Sequence, residues 1–187
     1  MKNLTLIILL FLLLPTASFA QDDEMQKWME YMTPGKEHKM LAAMSGEWNF
    51  EHKYWSMDPT AEPTISTGTA SCEMILEGRY SQMKVNSSVM GMPFNGISLT
   101  GYDNGKKVYF STWIDNMSTG MLYSEGTYDE ATKTTVMKGK MFEPILGKDI
   151  ETKEIIKWLD EKTMQSVTYN IIEGKEIKTM EIKYTKK

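Results

Sequence analysis

Residues 97–114 read ISLTGYDNGKKVYFSTWI. Asn104-Gly105 stands between two runs that alternate apolar and polar. That dipeptide is the strongest short signal for a β-hairpin, because both residues tolerate positive φ. Pairing Asp103 with Lys106 gathers Ile97, Leu99, Val108, Phe110, Thr112 and Ile114 on one face. Ser98, Thr100, Tyr102, Lys107, Tyr109, Ser111 and Trp113 share the other. The first set reads as the core side. Trp113 then lies opposite Gly96, where a large ring can cover a bare glycine.

The same alternation extends in both directions. Around Glu77-Gly78, Ala70, Cys72, Met74, Leu76, Met83 and Val85 share one face, with Thr69, Ser71, Glu73, Gln82, Lys84 and Asn86 on the other. Around Glu161-Lys162 and Gly174-Lys175, Ile156, Trp158, Val167, Tyr169, Ile171, Met180 and Ile182 fall together. From Glu47 onward roughly ten such runs follow one another, separated by turn signals. Successive hairpins with one apolar face and no long crossover predict an all-β fold, an up-and-down antiparallel barrel. The expected division is a signal peptide at 1–20, a helical cap at 21–46 and a barrel at 47–187.

Upstream of the strands, Lys2 precedes the apolar run LTLIILLFLLL and the small-residue ending Ser18-Phe19-Ala20. This pattern predicts a secretory signal peptide cleaved after Ala20, a periplasmic or secreted product, and no membrane anchor after cleavage. Met25, Trp28, Met29 and Met32 form a helical stripe that Pro34-Gly35 ends. Met40, Leu41 and Met44 suggest a second short helix, stopped by Gly46. The two helices are expected to cap one end of the barrel. Cys72 is the only cysteine, so no internal disulfide can form. The formal net charge of −4 and a single arginine, Arg79, argue against nucleic acid and against phosphate clamps.

The stretches PGKEHKMLAAMSGEW (34–48), GMPFNGISLTGYDNGKK (91–107) and STWIDNMSTGMLYSEGTYDEATK (111–133), with GKEIKTMEIKY near the end, resemble the family called domain of unknown function 1579. The resemblance implies a lipocalin-like barrel and carries no catalytic residues. Gly46-Glu47-Trp48 also resembles the Gly-x-Trp start of lipocalins, whose tryptophan plugs the closed end.

In an up-and-down order alternate connections share an end. The joints near 77, 104, 130 and 161 are tight and lie with the helices. The longer connections at 56–64, 87–93, 115–119 and 143–149 form the mouth, joined there by the tight 174–175 joint. If Trp48 points inward, Phe50, His52 and Tyr54 follow by parity. The expected lumen is apolar, lined by Phe50, Met74, Met83, Leu99, Phe110, Met137, Ile156, Tyr169 and Met180. His52, Tyr54 and Glu154 are its few polar handles. Glu154 is expected near the mouth, where it reaches water. Met90, Met92 and Asp115 map to the rim, with Met57, Met117 and Met121. Asp115-Asn116 reads first as a turn, and the methionines as packing or apolar contact rather than a Cu(I) site. No triad, phosphate loop, zinc spacing or calcium loop is visible, and no cofactor is expected. The leading expectation is an exported barrel that binds a small apolar molecule. The alternatives are an enzyme using Glu154 or His52 as acid or base, and a partner-binding module using the methionine-rich mouth.

Overall fold

The computed structural model describes residues 16–56 and 61–187, with side chains from residue 22. Most of the signal-peptide segment, and Met57, therefore lie outside the described residues. The chain forms two compact units, Met1–Thr33 and Pro34–Lys187. The first contains helix α1 (Thr16–Met32). Its stripe of Met25, Trp28, Met29 and Met32 is exposed. The Thr33 N–H and hydroxyl both bond back to the Met29 carbonyl, and Pro34 follows. Proline cannot extend the hydrogen-bonded ladder, so the helix ends there.

The second unit opens with α2 (Lys36–Ala42). Ten strands follow: β1 (Gly46–Tyr54), β2 (Thr64–Ile75), β3 (Tyr80–Val89), β4 (Met92–Asp103), β5 (Val108–Asp115), β6 (Leu122–Asp129), β7 (Thr134–Glu143), β8 (Lys148–Trp158), β9 (Thr163–Ile172) and β10 (Lys175–Lys186). They close in the order β1-β10-β9-β8-β7-β6-β5-β4-β3-β2. Every neighbouring pair is antiparallel, as the hairpin pattern requires. Closure leaves no sheet edge open for stray pairing.

Side-by-side partners in a sheet share a face, so register assigns the lumen strand by strand. Trp48, Phe50 and His52 point inward on β1. Ala70, Cys72 and Met74 pair with Val85, Met83 and Ser81. This face is inward, as the sequence predicts. Met83 pairs in turn with Ser98 and Ser98 with Trp113. Here the prediction is corrected. Residues 97–114 sort into the two expected faces, but the face of Ser98, Thr100, Tyr102, Tyr109, Ser111 and Trp113 points inward. Ile97, Leu99, Phe110 and Ile114 point outward, with Ile97 and Ile114 exposed. The connection is also longer than a two-residue turn. Asp103 pairs with Val108, and Lys107 takes φ +61°.

β9 is the second correction. Trp158 pairs with Met164, Ile156 with Ser166 and Glu154 with Thr168. The intervening loop is one residue longer than the predicted turn, because Asp160 accepts the Lys162 N–H and Leu159 bonds Thr163. One residue of slip turns every side chain of a strand over. Val167, Tyr169 and Ile171 therefore face out, and Ser166, Thr168 and Asn170 face in. On the other side a bulge between Lys178 and Met180 restores the match, so Met180 and Ile182 still face inward. Met90-Gly91 is a two-residue turn rather than a long loop, because β3 and β4 pair as far as Val89 and Met92.

α2 closes one end. Gly35 N–H donates to His38 Nδ1 at 3.0 Å and starts the helix. Ala43, rather than Gly46, ends it. The helix packs on β2, β3 and β4. Leu41 is buried with Tyr109 and Met137, beneath Met74, Tyr102, Tyr128 and Ile156.

Candidate functional site

The lumen has an aromatic floor. Trp48 is fully buried, and its indole N–H donates to the Met44 carbonyl at 2.8 Å. Trp158 and Tyr184 pack on it with ring centroids 5.8 and 6.5 Å away, and Phe50 lies 5.6 Å from Tyr184. Gly68 makes room for this stack, since a Cβ there would fall 2.4 Å from the Phe50 ring. Gly96 does the same for Trp113, whose ring stacks on Phe94 at 6.2 Å. The tryptophan–glycine contact read from the sequence is present, but inside the barrel.

Above and beside this floor the wall is polar. Ser98, Thr100 and Ser111 form a hydroxyl triangle with distances of 3.1 to 3.5 Å. Ser81 lies on the same side, with its hydroxyl 3.0 Å from the Cys72 thiol. Burial pushes that thiol up, away from the reactive thiolate. Cys72 is thus a packing residue.

Across the lumen, Ser166 Oγ donates to Glu154 Oε1 at 2.5 Å. Glu154 sits mid-strand, between Met137 and Thr168 on the neighbouring strands. This corrects the expected place near the mouth. Desolvation raises its pKa, and the Ser166 hydrogen bond opposes that rise. Among the described residues no cation pairs with it. Burial shifts such a carboxyl toward its neutral form relative to a free one, and in that form it is a hydrogen-bond donor as well as an acceptor. Burial also raises the Tyr184 pKa, and the Glu154 carboxylate, when ionised, adds to this.

His52 lies nearer the mouth. Its Nδ1 is 3.3 Å from Ser66 Oγ, and burial lowers its pKa. Nε2 is buried and makes no hydrogen bond. A buried polar atom without a partner is uncommon, so this nitrogen has free capacity facing the lumen side of β1. Among the described residues no three His, Cys, Asp or Glu side chains converge as a metal site. His38 is held at the closed end, edge-on to Tyr102.

The other predicted residues divide sharply. Met137 is buried in the lumen wall. Tyr54 is exposed at the mouth end of β1, and Met90 and Met92 are exposed on the rim. Asp115 builds the turn. It accepts the Trp113 indole N–H at 2.8 Å and the Met117 N–H at 2.9 Å. Asn116 ties the same turn to β4 by accepting from Asn95 N–H and donating to the Pro93 carbonyl. Phe110 and Tyr169 face outward and leave the site. The Phe110 ring lies over Gly101 beside Tyr80, and Tyr169 lies under Lys153. The sequence reading missed Ser66, Ser98, Thr100, Ser111, Ser166 and Thr168. The odd-length loop signalled by Asp160 could have revealed Ser166 and Thr168.

The family described as "protein of unknown function (DUF1579)" matches residues 33–186. No curated protein matches. Among solved structures, a redesigned β barrel is similar at 10% identity, covering 79% of this chain and 94% of its own, with a TM-score of 0.39.

Proposed function

Because this chain belongs to the DUF1579 family of proteins of unknown function, we propose its role from the lumen itself: an exported barrel that binds a small molecule with an apolar body and a polar end. The apolar body packs on the partly buried Trp113, Ile156, Trp158 and Ile182, above the filled floor of Trp48, Phe50 and Tyr184. The polar end meets Glu154 and Ser166, with Thr168 beside them on β9 and His52 two strands away on β1. The supporting observation is Glu154, a lumen carboxyl joined to Ser166 and paired with no cation among the described residues. Burying such a group costs stability, and a ligand that completes its hydrogen bonding offsets that cost.

The raised Glu154 pKa sets the direction of pH dependence. The neutral carboxyl donates to an acceptor on the ligand and the carboxylate cannot. Binding should weaken as pH rises from the ordinary carboxylate range through the raised value. Glu154→Gln keeps a donor that does not titrate, so it should retain binding and flatten the profile. The protein purified from its own compartment is examined by native mass spectrometry and then offered a total lipid extract. A molecule released on unfolding, with an apolar body and a hydrogen-bond acceptor, is the expected result. A chain that carries nothing and takes up nothing from the extract overturns the proposal.

A further inference from the structure

The two ends of the barrel differ in chemistry. At the closed end, the turns at 76–79, 104–107, 130–133 and 159–162 each carry at least two charged residues. At the mouth, the turns at 90–91, 116–121 and 144–147 carry none, the 173–174 turn has Glu173, and the 55–63 connection has Asp58 and Glu62 in its sequence but no basic residue. Both ends expose apolar turn residues, Leu76 and Leu159 at the closed end among them, but at the three uncharged mouth turns no charge shares the tip. Met90 is 88% exposed and Ile145 is 86% exposed. Phe142, Met121 and Met92 stand beside them, all exposed.

Met90 is the most telling. It occupies a turn at φ +52° with Gly91 at +79°. Asparagine, aspartate and glycine are the residues that suit this position. Glu173-Gly174 has the same conformation, at +52° and +76°, and uses a polar residue there. The backbone therefore does not call for methionine at position 90. A thioether this exposed gains little from the fold itself.

We propose that the mouth rim docks on a zwitterionic phospholipid surface, inserting Met90, Ile145 and their neighbours between the headgroups. Single apolar side chains on separate turn tips suit a fluid interface, which closes around each one. A protein partner would need a matching pocket for every tip. The lack of basic charge on these turns disfavours anionic lipid as the main attraction, since such binding draws on clustered lysine or arginine. The charged turns at the other end keep that end in water. The proposal rests on the lumen reading for its purpose, because a ligand with an apolar body could then pass between bilayer and lumen without crossing water. The test below needs no ligand, so the two can fail separately.

Ile145→Cys and Leu159→Cys are prepared in the full chain and labelled with an environment-sensitive fluorophore. Cys72 is buried and stays unlabelled. Leu159 is an exposed residue of the closed end and serves as the control. With phosphatidylcholine vesicles, the label at 145 should shift to the blue and be quenched by brominated acyl chains. The label at 159 should do neither. Adding Met90→Asp and Phe142→Asp should lower insertion of the 145 label about tenfold or more, from the apolar area no longer transferred. No shift at 145, equal shifts at both positions, or a shift that survives the aspartates would overturn the proposal. The local readout separates rim insertion from any attachment made by the apolar segment at residues 4–14.

Discussion

The β2–β3 and β4–β5 hairpins look alike in sequence and fold opposite ways. In β2–β3 the aliphatic face, with Ala70, Cys72, Met83 and Val85, is buried. In β4–β5 the aliphatic face is outside, and Ser98, Thr100 and Ser111 stand in the lumen. Alternation sorts residues into two sides without saying which side is in. Two physical facts decide it here. The inward face of β4–β5 carries Tyr102, Tyr109 and Trp113, and large aromatic side chains hide more surface than Ile97 or Leu99 would. The tight Met90-Gly91 turn also ties β4 to β3 pair by pair, so the buried face of β3 dictates that of β4.

The largest expected effect breaks this comparison directly. Val85→Asp places a charge in the buried floor region. It should cost about 3–5 kcal/mol in urea unfolding, or prevent folding. Ile97→Asp, on the aliphatic side of the next strand, should cost less than about 1 kcal/mol. Equal losses at the two positions would mean that the outer face of β4–β5 is covered.

The barrel, its strand number and its β2–β3 register are legible in the sequence because they depend on period and turn chemistry alone. The closed end is legible through Trp48 and Leu41. The part of the polar lumen wall that β9 supplies is not. It depends on one residue in the β8–β9 loop, where Asp160 folds the chain back on the Lys162 N–H, and on one residue in the β10 bulge. Two odd steps around β9 cancel for β10 and invert β9 alone. No periodicity within β9 reports that inversion, since both of its faces have a plausible pattern. Glu154 and His52 were visible as inward by parity from Trp158 and Trp48. Their partners Ser166 and Ser66 follow only from register across strands.

A smaller effect tests the aromatic side of the argument. A Cβ on Gly96 would stand 2.3 Å from the Trp113 ring, so the ring must move. Gly96→Ala should cost about 1–3 kcal/mol by overpacking. In a Trp113→Ala background, where the ring is gone, the same change should cost well under half as much. A double-mutant cycle in urea measures the difference. Additive losses would show that the glycine serves the backbone of β4 and not the ring.

The smallest effect is the most informative about the outer face. Ile97→Ser and Ile114→Ser replace apolar side chains that remain largely in water in the folded barrel. Little apolar area is lost, and both positions lie on strands, where a β-branched residue is only mildly preferred to serine. Each change should alter stability by no more than about 0.5 kcal/mol. The two residues are register partners on adjacent strands, so the double substitution also removes one cross-strand pair. That pair is worth about 0.2–1 kcal/mol. A loss from the double substitution well beyond the singles plus this pair term would require a contact that the isolated barrel does not have, such as a second copy on this face. Repeating the unfolding at a tenfold lower protein concentration separates the cases, because only an intermolecular contact makes the midpoint concentration-dependent.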